Sequence, residues 1–284
     1  MTVAPPSTHA HLPEALATIA SEIARTVGAK IRTVREVGVE VADTKSSTAD
    51  VVTHADRLAE SLAQESLLSA RPQDGLLGEE GAFVSGTTGI TWVVDPIDGT
   101  VNYLYDLPFY GVSVAATVAD GGPGTMEDGR RAIAGAVYLP VFDELFVAWE
   151  GGGSFLNGER LSGPASTSLD VTLLATGFGY TQERRTEQAS ILSQVLPRVR
   201  DIRRMGSAAA DLCMLAAGRI DAYYERGLNP WDYAAAVLIA REAGAHVLGL
   251  EGAAPGTNML IAGAPNTASE LHAIIAEAYS SLEA

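Results

Sequence analysis

Cysteine is nearly absent from this sequence. Cys213 is the single one in 284 residues, so an intrachain disulfide framework is excluded. It lies in the apolar stretch from Ala208 to Leu215, where a buried structural thiol is the first reading and a nucleophile the alternative. Basic residues are also scarce: 19 Lys+Arg face 35 Asp+Glu, for a formal charge of −16. That deficit argues against a general nucleic-acid sleeve and against an anionic-membrane binder, since both need a Lys/Arg surface. It leaves room for a protein that binds cations. No stretch approaches the roughly 18 consecutive apolar residues of a membrane span. The first residues lack the basic region and apolar block of a signal peptide, because His9, His11, Pro13 and Glu14 interrupt them. A soluble, cytoplasmic protein is therefore expected.

Apolar residues are plentiful. With 47% hydrophobic and 19% charged residues, the composition argues against intrinsic disorder. At roughly 150 residues per domain the length allows one large domain or two closely packed ones. Leu12, Leu16, Ile19, Ile23, Val27, Ile31 and Val34 recur at helical steps, which predicts a long amphipathic helix after a disordered tail over 1–11. Leu58 and Leu62 mark a second helix over 54–70. Short apolar segments follow at Leu76-Leu77, Thr91 to Val94, Gly111 to Val118, Ile133 to Leu139 and Leu145 to Trp149, which read as a sheet. Asn157-Gly158 is a two-residue hairpin signal. The glycine-rich stretch 119–129 predicts an exposed, mobile hairpin loop away from any catalytic role. Gly151-Gly152-Gly153 precedes a hairpin instead of opening a helix, so a turn is favoured over a phosphate cradle. Gly163-Pro164 suggests a boundary near 165, separating an N-terminal α+β domain over 12–165 from a C-terminal α/β domain over 166–284. Strands are expected at 171–176, 200–205, 220–225, 245–249 and 258–262, and helices at 184–196, 207–218, 232–243 and from 267. The fold class is a layered α/β or α+β fold.

Position makes the carboxylates informative. Trp92-Val93-Val94 reads as a strand buried on both faces, and Asp95 follows it. Pro96 is expected to break the strand and to fold Asp98 toward Asp95. Gly99 lets the backbone approach a ligand closely, and Thr100 opens a short helix whose free amides suit an anion such as phosphate. Glu79-Glu80 follows the strand at Leu76-Leu77, and Asp232 begins a helix after Pro230. Taken singly, Glu79-Glu80 also reads as a solvated turn, Asp98-Gly99 as a turn dipeptide and Asp232 as a helix N-cap. Together, acids at strand and helix ends without Lys or Arg partners call for a cation. Of the five histidines only His54 lies near them, and oxygen-only ligation favours Mg²⁺ over Zn²⁺.

The string Asp95-Pro96-Ile97-Asp98-Gly99-Thr100, running on to Asn102-Tyr103, resembles the signature of the inositol monophosphatase family of lithium-sensitive, magnesium-dependent phosphatases. Three further landmarks are similar and in order: Lys45-Ser46-Ser47 with Asp50, Thr53 and Asp56; Gly78-Glu79-Glu80; and Trp231 to Ala235 leading to Glu242-Ala243-Gly244. The resemblance runs from Leu12 to the end and is strongest to the bacterial inositol-1-monophosphatase branch. It implies a layered αβαβα sandwich and a homodimer. It further implies a first Mg²⁺ on Glu79, Asp95 and the Ile97 carbonyl, a second on Asp95, Asp98 and Asp232, and a third, weaker ion on Glu79 and water.

By the same resemblance, Thr100 with Asp56 orients a nucleophilic water beside Glu79, and the Gly99 and Thr100 amides receive phosphate oxygens. Asp98, Gly206, Ser207, Ala208, Glu225 and Asp232 face the substrate, with Glu225 accepting from polyol hydroxyls. The implied reaction is hydrolysis of myo-inositol 1-phosphate or a similar polyol monophosphate. Histidinol phosphate, fructose 1,6-bisphosphate and 3′-phosphoadenosine 5′-phosphate are the alternatives within the superfamily. A regulatory partner of the transcription machinery is the alternative from another class. Two departures from the family pattern stand out: stretch 119–129 is longer, which should alter only the surface, and Ala235 stands where glycine is frequent, which should tighten packing behind the metal site.

Overall fold

The computed structural model describes residues 13–39, 41–45 and 51–283. The expected N-terminal tail, Leu12, Ser46, Ser47 and Asp50 lie outside them. Helix α1 (Pro13–Val37) opens on a proline, whose fixed φ suits the first helical position. Glu14 in its first turn and Arg35 in its last complement the helix dipole. Leu16, Ile23, Val27 and Ile31 of the expected stripe are buried, with Ile19 and Val34 packed at its margin.

A short antiparallel pair follows, β1 (Val41–Thr44) and β2 (Val51–Thr53). Thr53 caps α2 (His54–Ala70): its hydroxyl accepts from the Ala55 and Asp56 amides, and Asp56 accepts from the Thr53 amide at 2.7 Å. The second helix forms over the expected range, with Leu62 packed at the margin of the core. Leu58 is 44% exposed, whereas Ala55, Ala59, Ala63 and Leu67 are buried. Small side chains there let α2 join the same core as α1.

The larger sheet contains β3 (Gly75–Gly78), β4 (Phe83–Val84), β5 (Thr91–Asp98), β6 (Gly111–Val118), β7 (Arg131–Leu139), β8 (Glu144–Trp149), β9 (Gly153–Leu156) and β10 (Glu159–Arg160). Its order is β10-β9-β8-β7-β6-β5-β3-β4, antiparallel except where β3 runs parallel to β5. Both faces are covered, as the apolar runs suggested: Trp92 and Val94 enter one core while Val93 between them enters another. The Asn157-Gly158 hairpin forms as expected, with φ of 49° and 86°.

Pro96 does not end β5. The strand continues through a bulge in which Asp95 pairs with Ser113 and Asp98 with Gly111, so three steps on β5 oppose two on β6. In a regular strand residues three apart face opposite ways. The extra residue restores the phase and lets both acids face one cavity.

A short helix α3 (Thr100–Leu104) follows β5. The smaller sheet comprises β11 (Leu173–Thr176), β12 (Asp201–Arg203), β13 (Ala222–Glu225), β14 (His246–Leu248) and β15 (Leu260–Gly263), ordered β12-β11-β13-β15-β14. Helices α5 (Ala208–Ala216) and α6 (Pro230–Glu242) share one buried cluster with residues of both sheets. Helices α1 and α2 pack on the outer face of the larger sheet. Helices α4 (Gln182–Val195) and α7 (Pro265–Glu283) pack on the outer face of the smaller one. The result is five layers, αβαβα.

Ala235 fits as the sequence suggested: it is fully buried, and a Cβ on Gly135 of β7 would lie 3.0 Å from it, so Gly135 supplies the room. Stretch 119–129 joins β6 to β7 as a hairpin connection, but it is not only surface. Met126 is 5% exposed and belongs to the central cluster. Among the described residues no helix is long and apolar enough to cross a membrane.

Candidate active site

Parallel pairing sets Gly78 of β3 beside Val94 of β5, so the residues leaving the two strand ends are neighbours. The Glu79 amide donates to the Val94 carbonyl at 3.2 Å. A cavity of about 400 Å³ opens there, and Glu79, Asp95, Asp98 and Asp232 all line it, with Ile97, Gly99 and Thr100. Gly206, Ser207, Ala208 and Glu225 line it as well. The exposed His54 does not line it.

Each acid is held by its own local structure. Asp95 Oδ1 accepts from the Ile97 amide at 3.0 Å inside the bulge. Asp98 Oδ2 accepts from the Ser207 hydroxyl at 2.7 Å and the Ala209 amide at 2.6 Å, at the N-terminus of α5. Ser207 thus holds a carboxylate and also caps α5 through the Ala210 amide. Asp232 is the third residue of α6, not its cap: Asn229 caps the helix and donates its amide to Asp232 Oδ2 at 2.7 Å. Gly99, with φ of 93°, is required where it stands, since a Cβ would meet the Phe109 carbonyl at 2.8 Å.

Asp56 lies behind the cavity wall, fully buried. Its Oδ1 accepts from the Thr100 hydroxyl at 3.1 Å, and that hydroxyl is also 3.0 Å from the Ile97 carbonyl. With a single proton, Thr100 serves one acceptor at a time and keeps lone pairs free for a donor in the cavity.

The electrostatics are those of crowded anions. Burial first, then the charges of Glu79 and Asp98, push Asp95 and Asp232 well above the usual carboxylate range. Burial lifts Glu79 to about 7 against the pull of Lys45. It lifts Asp98 to about 6 against the hydrogen bond from Ser207. The expectation that these acids lack basic partners needs correcting at one point. Lys45 donates to Glu79 Oε1 at 2.8 Å and to Glu80 Oε1 at 2.7 Å; burial alone would pull its ammonium down, but the two glutamates outweigh it and raise it.

Carboxylates and one carbonyl, repelling one another in a single cavity, have the donor chemistry of a hard divalent cation such as Mg²⁺. Among the described residues no three acidic, histidine or cysteine side chains stand ready in a metal-ligating arrangement. Asp98 Oδ2 is turned to Ser207, Asp232 Oδ2 to Asn229 and Glu79 Oε1 to Lys45. The donor set fits a hard divalent cation.

Glu60, Tyr223 and Asp211 carried no signal in the sequence. Glu60, on α2, accepts from the Glu80 and Ala82 amides at 2.8 and 2.9 Å and so holds the turn that presents Glu79. Gly78 makes this contact feasible, because a Cβ there would sit 2.1 Å from Glu60 Oε2. Glu225 accepts from the buried Tyr223 hydroxyl at 2.6 Å, while a Cβ on Gly177 would come within 2.1 Å of the same carboxylate. Burial lifts Glu225 to about 7. Asp211 is 1% exposed, with Oδ1 unpartnered among the described residues. Cys213 is fully buried, and burial pushes its thiol well above the ordinary value, so the structural reading holds and the nucleophile reading does not.

The sequence profile of the inositol monophosphatase family matches residues 12–283. Inositol-1-monophosphatase SuhB of Mycobacterium tuberculosis (strain ATCC 25618 / H37Rv) is 45% identical over 241 residues, covering 81% of this chain and 80% of that protein. Nus factor SuhB of Escherichia coli (strain K12) is 38% identical over 247 residues, covering 86% and 88%. Among solved structures, the extragenic suppressor protein suhB of Bartonella henselae superposes with a TM-score of 0.83 at 33% identity, over 92% of this chain and 98% of that one.

Proposed function

The chain belongs to the inositol monophosphatase family, and from that premise we propose that it is a magnesium-dependent phosphomonoesterase acting on myo-inositol 1-phosphate or a similar polyol monophosphate. The observation that carries this reading is the convergence of acids from three chain segments, at 79, 95–98 and 232, on one cavity beside the Thr100–Asp56 pair. Glu79, Asp95, the Ile97 carbonyl, Asp98 and Asp232 would hold the ions, two or three in number. Magnesium bound there supplies charge neutralisation for the phosphoryl oxygens and acidifies water at neutral pH.

The rest falls to the protein's own groups. The Gly99 and Thr100 amides, at the turn into α3, receive phosphate oxygens. Thr100, donating to Asp56, accepts a hydrogen bond from the attacking water and orients it, with Glu79 alongside; as the water attacks, its proton passes to Thr100 while the Thr100 proton passes to the Asp56 carboxylate. Ser207 and the Ala209 amide hold Asp98 in place. Glu225, clamped by Tyr223 against Gly177, accepts from hydroxyls of the leaving alcohol. A protonatable amine would also suit that carboxylate, which makes histidinol phosphate the nearest alternative substrate. The protein is proposed to work in the cytoplasm as a homodimer.

Phosphate release with Mg²⁺ should be measured across inositol phosphates, histidinol phosphate, fructose 1,6-bisphosphate and 3′-phosphoadenosine 5′-phosphate, with and without lithium. A preference above about tenfold, roughly 1.4 kcal/mol in transition-state binding, for an inositol monophosphate is expected. Equal or better turnover of the others assigns a different substrate. The 38% identity to a protein named Nus factor SuhB favours a second reading, in which the chain also joins a transcription complex. Stable association with RNA polymerase by an Asp95→Asn variant supports that reading, and its loss or absence rejects it.

A further inference from the structure

The glycine-rich connection between β6 and β7 is tied into the C-terminal half of the molecule at three points. Near its tip, the Gly124 carbonyl accepts from Arg241 Nη1 of α6 at 2.7 Å. At its middle, Met126 is buried in the same cluster as Leu228 and Tyr233. Beyond that, Glu127 grips segment 255–258: its amide donates to the Pro255 carbonyl at 3.0 Å, and its carboxylate accepts from the Asn258 amide at 2.8 Å and from the Asn258 side chain. Gly256 permits this approach, since a Cβ there would meet Glu127 Cβ at 2.5 Å.

The gripped segment supports the cavity wall. The Gly227 amide donates to the Thr257 carbonyl at 2.7 Å, and the Thr257 hydroxyl donates to the Leu228 carbonyl at 2.7 Å. Gly227, Leu228 and Thr257 line the cavity, and the same run of chain leads through Asn229 into the turn that carries Asp232. Loop backbone of this kind owes its rigidity to such cross-links, because it has no ladder of its own.

We propose that Glu127 is a positioning residue, and that the 119–129 loop braces the substrate-facing wall at 227–229 through segment 255–258. For its kinetic consequence this rests on the phosphatase reading above; for its structural consequence it does not. Glu127→Ala removes two acceptor contacts in which the acceptor is charged. It should raise KM by about three- to tenfold with kcat changed less than about twofold. Glu127→Gln keeps a carbonyl acceptor for the Asn258 amide and should stay within about twofold of wild type. Asp120→Ala, whose partners are Arg131 and the Gly122 amide, is the control in the same loop and should match wild type.

Hydrogen exchange on the full chain supplies the readout that does not need turnover. In Glu127→Ala the Gly227 amide should lose protection while β6 keeps its own. Unchanged Gly227 protection, or equal loss throughout the molecule, overturns the proposal. So does a lowered melting temperature with KM unmoved. Should wild type hydrolyse no phosphomonoester, the functional reading fails and the exchange comparison alone decides the brace.

Discussion

Asp98 Oδ2 and the Ser207 hydroxyl are 2.7 Å apart, although 109 residues separate them in the chain. This bond joins the bulged strand of the larger sheet to the helix that opens the other half of the site. Ser207 does two things at once, holding a buried carboxylate together with the Ala209 amide and capping α5.

Ser207→Ala should therefore cost more than a surface hydroxyl. Loss of a hydrogen bond to a charged group, together with the cap, destabilises by about 1.5–3 kcal/mol. Activity should fall by about tenfold or more, with a higher Mg²⁺ concentration needed for half-maximal rate. Urea melts and magnesium titrations check both. A variant with lowered stability but an unmoved magnesium midpoint would show that the bond serves the fold alone.

Thr100 and Asp56 make a second prediction. Thr100→Val keeps the shape and removes the hydroxyl, so kcat should drop by about 10²–10⁴-fold, the range of proton-transfer assistance. KM should move little, and Thr100→Ser should restore most of the rate. Full activity in Thr100→Val would assign the hydroxyl to structure alone.

Glu225 links pH to stability. Its folded value of about 7 stands above the ordinary 4.5, raised by burial against the hydrogen bond from Tyr223. The folded chain thus holds this proton to higher pH than the unfolded one. Stability contributed by the group declines as pH rises through that window and stays low above it. In a chelating buffer, Glu225→Gln should melt above wild type at pH 8, with the gap closing toward pH 4.5. Thermal melts at several pH values check the sign, and a gap that widens toward acid contradicts it. Discrimination between a polyol phosphate and a simple alkyl phosphate should shrink in the same variant.

Much of this architecture was legible in the chain. Apolar patterns placed α1 and most strands of both sheets, though not β4, because apolar period and turn chemistry act locally. The Asn157-Gly158 turn came out as its residues dictate. Long-range packing was less readable. Leu58 and Leu62 marked α2, but the face it buries was not readable from them: Leu58 is exposed, while Ala59 and Ala63 are buried. Pro96 was expected to end β5, but a one-residue bulge absorbs it, and only the pairing register reveals that Asp95 and Asp98 share a side. Glu60 looks like any helix-surface acid until Gly78 is seen to make room for it. The 119–129 loop read as a surface feature because glycine and polar residues dominate it, while Met126, its core anchor, stands among ten polar or small neighbours.

The central claim is that the acids gathered by the β5 bulge form a magnesium centre that hydrolyses a phosphomonoester. The most direct measurement is phosphate release from myo-inositol 1-phosphate as a function of Mg²⁺ concentration, for wild type and Asp95→Asn, with circular dichroism recorded on both. The account predicts that wild type is active only with Mg²⁺ and is silenced by a chelator, while Asp95→Asn is folded and releases no phosphate above background. Magnesium-independent hydrolysis by wild type, or wild-type rates in folded Asp95→Asn, would contradict it.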